Sequence, residues 1–224
     1  MKIKENGKIL CIGDSVTDCG RKYPVGEGND ALGSGYVQYL HALIDSRHPE
    51  EHIRVINMGI GGNTSRDVRE RYVRDALELR PDYVTVMIGI NDIWRRMISV
   101  NDRENQISLD EYRESIDWIC RKTVGCAEGM FLLSPIFMNT NPHDEMRTWT
   151  ETYRQELKKT ASGYANVEYL DIQERFDRYF QHYHYSAMAS DAVHPNHVGH
   201  MIIADKIYEN LEFGDGISFL ETKR

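Results

Sequence analysis

Five short apolar runs, each followed by a segment with helical periodicity, dominate this sequence. The runs are bounded by glycine, proline or polar residues, as is typical of buried strands. Their alternation with helices predicts one α/β domain over residues 1–224, with a parallel sheet and right-handed crossovers. The predicted strands occupy residues 8–12, 53–58, 83–88, 130–133 and 167–171.

The predicted helices follow from apolar residues at helical spacing and from the positions of proline. Tyr112, Ile116 and Ile119, for example, share one helix face, and Pro195 suits the first turn of the last helix. We predict helices over residues 36–46, from 64 or 65 to before Pro81, over 109–123, from after 144 to about 162, over 173–180, and after 195.

The charge and the cysteines exclude several classes of partner. A formal net charge of −8 argues against nucleic acid or an anionic membrane as the main partner. The first residues lack the apolar core of a secretory signal, and no stretch is long and apolar enough to span a bilayer. Cys11, Cys19, Cys120 and Cys126 fit no zinc-ribbon or CxxC spacing. We interpret them as reduced thiols of a cytoplasmic protein.

Ser15 follows the first predicted strand, in the run Gly13-Asp14-Ser15. Open α/β sheets bind their ligands at the carboxyl ends of the strands. A serine at that edge is a candidate nucleophile if a base reaches it. Otherwise it caps the next helix, as serine often does.

Asp191 and His194, near the other end of the chain, supply the groups that such a nucleophile needs. They are three residues apart, so both side chains can face the same way. The carboxylate can then hold imidazole Nδ1–H and leave Nε2 to take a proton from Ser15. GxSxG is absent, which excludes the nucleophile elbow of α/β-hydrolases.

Candidate donors to an oxyanion follow the second and third strands. Gly61 and Gly62 allow a close approach of backbone N–H, and Asn91 brings a side-chain amide. A strand order of 2-1-3 would place both strand ends beside Ser15. The alternatives are a phosphate-binding turn at the glycines and an ordinary turn at Asn91.

The irregular stretch 19–35 holds several glycines and directly follows the candidate nucleophile. Long loops in compact domains are usually functional or mobile. Arg21 and Tyr23 are therefore candidates for lining a substrate site, the alternative being that they are solvated loop residues.

Two competing functions remain from the residues alone. A metal-dependent hydrolase would use the histidines that cluster in sequence with Asp191, but HExxH is absent and two of those histidines fall on the last helix. A catalytically inactive carbohydrate-binding module would not need the complete set Ser15, Asn91, Asp191 and His194. The histidines in question are His182, His184, His194, His197 and His200.

Four segments of the chain resemble the four sequence blocks of the GDSL/SGNH hydrolases, in the family's order. They are Gly13-Asp14-Ser15, residues 57–64 around Gly62, Gly89-Ile90-Asn91-Asp92 and Asp191-Ala192-Val193-His194-Pro195. The resemblance implies a three-layer α/β/α flavodoxin-like fold with a five-stranded parallel sheet. It also implies Ser15 as nucleophile, His194 as base and Asp191 as its orienting carboxylate. Ser15 N–H, Gly62 N–H and the Asn91 amide would form the oxyanion hole, with no metal or cofactor.

Within that family, the flanking residues look most like the intracellular serine acetylxylan esterases. The similar stretches are 13–21, 31–36, 91–95 and 193–195. The implied substrate is an acetylated xylo-oligosaccharide or a related small sugar ester. Trp94 would stack on a sugar ring, unless it is a core or interface residue. Some relatives carry an aromatic residue where this chain has Ser190, a difference at the substrate cleft. A broad short-chain esterase, a lysophospholipase or thioesterase of the same family, and a homo-oligomer all remain open.

Overall fold

Strands and helices alternate along the computed structural model, which describes residues 1–28, 30–98, 103–141 and 143–214. The strands are β1 (Lys8–Gly13), β2 (Gly26–Glu27), β3 (Arg54–Gly59), β4 (Tyr83–Met87), β5 (Gly129–Leu133) and β6 (Val167–Leu170). The helices are α1 (Ser15–Asp18), α2 (Tyr36–Arg47), α3 (Ser65–Asp75), α4 (Ile90–Ile98), α5 (Leu109–Val124), α6 (Glu145–Ala161), α7 (Ile172–Tyr179) and α8 (His197–Tyr208).

The strands form one sheet in the order β2-β3-β1-β4-β5-β6. The five predicted strands are present and mutually parallel, and the predicted neighbours of the first strand are confirmed, because β3 and β4 pair with β1 on either side. The sheet has one strand more than predicted. The two-residue β2 adds to β3 in the antiparallel direction and is too short to show a pattern in the sequence.

Each face of the sheet carries its own apolar core, which gives the chain three layers. Successive strand residues point to opposite faces, so Ile9 and Cys11 join one core while Leu10 and Ile12 join the other. The first core includes residues of α2, α7 and α8, and the second includes residues of α3, α5 and α6. Within the described ranges, no helix is both long and apolar enough to cross a membrane.

Two short helices lie where the sequence predicts none. Helix α1 is a single turn, and its cap is Asp14, whose Oδ1 accepts the N–H of Val16 at 3.0 Å, so Ser15 is the first helical residue and not the cap. Helix α4 begins one residue after Gly89, which has φ +133°. No serine, threonine or aspartate precedes its first turn, so the start of α4 carries no capping signal.

Glycines at the ends of β3 and β1 allow close approaches by the backbone of α1 and by β4, respectively. A Cβ on Gly59 would lie 2.1 Å from the backbone nitrogen of Asp18, and one on Gly13 would lie 2.3 Å from the carbonyl oxygen of Met87. Neither contact is possible for a larger residue. Ser15 is therefore held at the edge of the sheet between the ends of β3 and β4.

His200 couples the stability of this fold to pH. It is 4% exposed, its Nδ1 accepts the N–H of Tyr36 at 3.1 Å, and its Nε2 lies 3.5 Å from Cys19 Sγ. Burial, followed by the charges of His197 and His194, lowers the pKa of His200 to about 4 from 6.5. Below pH 6.5 the unfolded chain therefore binds a proton at this histidine, whereas the folded chain binds it only below about pH 4. The free energy of unfolding therefore falls as pH drops across this window.

We expect the titration of His200 to lower the free energy of unfolding by about 3 kcal/mol between pH 7 and pH 4. In His200→Asn an amide oxygen keeps an acceptor near Tyr36 N–H without titrating. Denaturant unfolding of both proteins at the two pH values measures the difference. Parallel pH dependence of the two proteins would show that His200 does not couple folding to protons.

Candidate active site

Ser15, His194 and Asp191 lie in one hydrogen-bonded row. Ser15 Oγ is 2.8 Å from His194 Nε2, and His194 Nδ1 is 2.6 Å from Asp191 Oδ2. The structure thus brings together a hydroxyl from the start of α1 and two residues from the loop before α8. This is the arrangement in which an imidazole can take the proton of a serine hydroxyl.

The second oxygen of Asp191 shapes the loop that carries the imidazole. Asp191 Oδ1 accepts the backbone N–H groups of Val193 at 3.0 Å and His194 at 2.9 Å. The loop is also tied to the segment after β5, because Ala192 O accepts the N–H of Met138 at 2.7 Å. One carboxylate therefore fixes both the backbone turn and the ring orientation.

Asp191 remains a carboxylate across the working pH range. Partial burial acts to raise its pKa, but the hydrogen bonds from the N–H and ring of His194 and from Val193 N–H outweigh it and lower the pKa to about 2. The charged Oδ2 accepts a hydrogen bond from Nδ1–H, which leaves the lone pair of His194 Nε2 directed at Ser15 Oγ.

The loop after β3 forms a tight turn beside the serine. Asn63 N–H bonds to Ile60 O at 3.2 Å, and Gly62 has φ +78° at the third position, where a type II turn needs glycine. Gly61 lies next to the nucleophile, since a Cβ built on it would be 3.9 Å from Ser15 Cβ. Its N–H is already bound to Asp18 Oδ2 at 3.0 Å. Within the described ranges the N–H of Gly62 meets no protein acceptor, so of the two glycines it is the one free to bind a ligand.

Helix α4 holds this turn through three side chains. Asn91 Nδ2 donates to Asn63 O at 2.9 Å, and one turn later Arg95 Nη2 donates to Gly62 O at 2.8 Å. Asn91 uses one of its two amide hydrogens in this contact and keeps the other. Asp92 accepts Ser65 N–H at 3.0 Å, at the start of α3.

Two buried carboxyl groups lie beneath the site. Asp14 is 2% exposed and Asp92 is fully buried. Burial raises the pKa of Asp14 to about 7, against the hydrogen bond from Val16 N–H, and raises the pKa of Asp92 to about 6, against the hydrogen bonds from Ser65. Asp14 caps α1 and Asp92 accepts hydrogen bonds from Ser65 at the start of α3, so both hold the loops around Ser15.

Buried Arg71 joins the ends of β1 and β3 beside the site. Its guanidinium donates to Gly13 O at 3.0 Å and Met58 O at 2.8 Å, and its Nε donates to Asn63 Oδ1 at 2.7 Å. The sequence shows Arg71 only as one charge on a helix, and nothing in its spacing reveals these backbone partners. The same holds for Asp18 and Arg95, which brace the turn over long sequence distances.

The three residues suggested to line a substrate site occupy different environments. Arg21 is 4% exposed and donates to Gly59 O at 2.6 Å, so its guanidinium is used inside the protein. Tyr23 is 60% exposed, and its hydroxyl donates to Asp18 Oδ2 at 2.8 Å. Trp94 is half-buried against a small apolar cluster of Ile90, Phe137 and Val193.

The histidines near the carboxyl end make separate contacts. His194 contacts Asp191, His197 bonds to Tyr39 Oη at 2.8 Å, His184 bonds to Ser186 Oγ at 2.8 Å, and His200 lies against Tyr36 and Cys19. In the part of the chain that the structure describes, no three histidine, cysteine or carboxylate side chains are grouped to hold a metal ion. The geometry gives the metal-dependent alternative no ligand set there.

Comparisons with known proteins point in one direction. Residues 11–202 match the model of the GDSL-like lipase/acylhydrolase family. The chain is 39% identical over 214 residues to an acetylxylan esterase of Geobacillus stearothermophilus, covering 95% of this chain and 97% of that protein.

Solved structures agree with the sequence comparison. A catalytic mutant, S15A, of the G. stearothermophilus acetylxylan esterase Axe2 matches with a TM-score of 0.91 at 39% identity, covering 95% of this chain and 98% of that one. Further catalytic mutants of Axe2 are D191A and H194A. The α/β-hydrolase LAE5 from the metagenome of Lake Arreo matches with a TM-score of 0.89 at 38% identity, covering 92% of this chain and 95% of that one.

Proposed function

This chain belongs to the GDSL-like lipase/acylhydrolase family, and we propose that it is a serine esterase that removes acetyl groups from acetylated xylo-oligosaccharides or related sugars. The observation that carries the proposal is the row Ser15 Oγ, His194 Nε2 and Nδ1, and Asp191 Oδ2, with contacts of 2.8 and 2.6 Å. Ser15, His194 and Asp191 agree in residue type and number with the residues that the catalytic mutants of Axe2 replace by alanine. We also propose that residues 1–224 form one hydrolase domain.

In the first half of the reaction, Ser15 Oγ attacks the carbonyl carbon of the ester. His194 Nε2 takes the hydroxyl proton, and the Asp191 carboxylate stabilises the imidazolium that forms. The carbonyl oxygen becomes an oxyanion that accepts Ser15 N–H, Gly62 N–H and the free amide hydrogen of Asn91. Collapse of this intermediate breaks the ester bond, and His194 returns its proton to the departing sugar oxygen.

In the second half, the acetyl group on Ser15 is released by water. His194 Nε2 takes a proton from the water as its oxygen attacks the acyl carbon, and the same donors bind the second oxyanion. Acetate leaves and Ser15 regains its proton from His194. Every step uses side chains, backbone N–H groups and water, so we propose no cofactor.

The surroundings of the serine favour a short acyl group. Ile90, Phe137 and Val193 are each at most 6% exposed and pack on one another beside half-buried Trp94, so they present little free apolar surface. Asp18, Asn91 and Arg95 add polar, partly exposed groups around the serine. A buried CH₂ contributes about 0.8 kcal/mol only where it leaves water, so a longer acyl chain gains little beside these groups.

We propose a cytoplasmic site of action on small sugar esters. The four cysteines of the chain are all free thiols, and two of them are buried, which is typical of proteins in a reducing compartment. An esterase there would act on partly acetylated oligosaccharides small enough to be taken up.

We expect kcat/KM to decline from p-nitrophenyl acetate through butyrate to octanoate, and we expect acetate to be released from acetylated xylo-oligosaccharides. The reason is that added methylenes gain no apolar contact while they crowd the polar rim. Initial rates on the three esters and enzymatic assay of free acetate measure both parts, with Ser15→Ala as the blank.

The two parts of this prediction can fail separately. A kcat/KM that increases with acyl length would contradict the short-acyl preference and favour a lipase or lysophospholipase. Activity on p-nitrophenyl acetate with no acetate released from any acetylated sugar would contradict the carbohydrate substrate and leave a broad short-chain esterase.

A further inference from the structure

Tyr23 is an unusually exposed aromatic residue beside the candidate active site. It lies in the loop between α1 and β2, and 60% of it is exposed to solvent. Singly exposed apolar residues are common on protein surfaces, so exposure alone does not mark Tyr23 as a binding residue. What points to a binding role is that its ring is held in place beside the site.

Two contacts hold the ring. Its hydroxyl donates to Asp18 Oδ2 at 2.8 Å, and the guanidinium carbon of Arg21 lies 4.0 Å from the ring centroid. Arg21 is itself anchored, since it donates to Gly59 O at 2.6 Å and to Pro24 O at 2.9 Å. The cation covers one face of the ring, so the exposed surface of Tyr23 consists of its other face and its edges.

The ring is also linked directly to the loop that borders Ser15. Asp18 Oδ2, which accepts the Tyr23 hydroxyl, accepts Gly61 N–H at 3.0 Å as well. A Cβ on Gly61 would lie 3.8 Å from that same oxygen and 3.9 Å from Ser15 Cβ. Tyr23 therefore lies at the rim of the site, beside the turn that contains Gly61.

The chemistry of this surface suits a sugar. A pyranose ring has an apolar face of C–H groups that packs on an aromatic face, and its hydroxyls remain free for water. An aromatic ring that is already immobilised loses little conformational entropy when a ligand covers it. Burial and the hydrogen bond to Asp18 raise the pKa of the phenol, so it stays protonated as the donor that fixes the ring.

We propose that the open face of Tyr23 stacks on a sugar ring of the acetylated oligosaccharide and so favours sugar esters over esters of simple alcohols. This inference rests on the proposed function and names one binding contact of the same site. The contact is made equally before and during the reaction, so it lowers KM and leaves kcat unchanged.

Two variants at this position separate the ring from its hydroxyl. Tyr23→Leu removes the aromatic face but keeps apolar bulk, and Tyr23→Phe keeps the face. With acetylated xylo-oligosaccharides, we expect Tyr23→Leu to raise KM about tenfold with kcat unchanged, the effect of losing some tens of Å² of apolar contact. Tyr23→Phe should keep KM within about twofold of the parent, and all three proteins should have similar kcat/KM on ethyl acetate, whose alcohol has no ring to stack.

Tyr183→Leu is the matched control. Tyr183 is 56% exposed and stacks on Tyr179 with ring centroids 4.9 Å apart, in the loop after α7. An equal increase of KM in Tyr183→Leu would overturn the specific role of Tyr23. A fall of kcat by the same factor on both substrates in Tyr23→Leu and Tyr23→Phe would also overturn it. That result would show that the Tyr23 hydroxyl holds the Gly61 turn in place through Asp18.

The outcome also distinguishes this contact from the proposed function. If the parent protein releases acetate from the sugar and Tyr23→Leu has an unchanged KM, the stacking contact is wrong and the esterase stands. If the parent hydrolyses p-nitrophenyl acetate but no sugar ester, the proposed carbohydrate substrate fails and the contact fails with it.

Discussion

Replacing Ser15 or His194 by alanine is expected to lower kcat about 10⁶-fold, whichever of the two is removed. The two residues act as a unit, because Ser15 Oγ is an efficient nucleophile only while His194 Nε2, 2.8 Å away, takes its proton. Initial rates on p-nitrophenyl acetate at saturating substrate measure the loss. The double variant should be no worse than either single one, since each already abolishes the shared function.

Neither substitution should unfold the chain. The contacts of the Ser15 hydroxyl and the His194 ring are with each other and with Asp191, all at the partly exposed rim of the site. Thermal unfolding of the purified variants checks this directly. His197→Ala and Ser46→Ala are the controls, because both residues are exposed and lie in helices, α8 and α2, outside the triad. His197 hydrogen-bonds to Tyr39 Oη, and Ser46 donates to the Leu43 carbonyl. Near-parent activity in a folded Ser15→Ala or His194→Ala protein would be incompatible with the triad.

Asn91→Ala is expected to lower kcat roughly 10²- to 10³-fold with a smaller change in KM. One amide hydrogen of Asn91 holds Asn63 O at 2.9 Å, and the other is free to bind the charge that develops on the carbonyl oxygen. A donor that meets that charge mainly in the transition state contributes to kcat more than to substrate binding. Steady-state kinetics on a single acetyl ester separates the two parameters.

Arg95→Ala provides the comparison that isolates the role of the Asn91 amide. Arg95 braces the same turn through Gly62 O at 2.8 Å but is not among the proposed oxyanion donors. If Asn91 only braces the turn, the two variants should lose similar activity. We expect Asn91→Ala to lose far more, and a pure KM effect in Asn91→Ala would mean that the residue binds substrate instead.

The strands and their order could be predicted because they depend on local pattern and on a general rule. The runs around Leu10, Ile56 and Val84 are apolar on both faces, and parallel strands joined by helices bring their carboxyl ends to one edge. Ser15, Gly62 and Asn91 could be placed at that edge from the sequence because each directly follows one of those strands. The three-residue spacing of Asp191 and His194 predicted that these two side chains face the same way and can act together.

The parts that could not be predicted depend on contacts between residues far apart in sequence. The N–H of Gly61 is bound by Asp18, more than forty residues away in sequence, and no local pattern predicts this contact. The burial of Arg21 depends on Gly59 O at the end of a different strand. Helix α4 has no cap signal, since the backbone of Gly89 leads directly into it.

The most direct test of the account is to locate the nucleophile by mass. The protein is inactivated with a serine-directed organophosphate, digested, and its peptides are mapped by mass spectrometry. We predict one adduct per chain, on Ser15, with activity lost in proportion to labelling and no labelling of His194→Ala. Complete inactivation with the adduct on another residue, or full activity in protein labelled at Ser15, would contradict the assignment of Ser15 as the nucleophile.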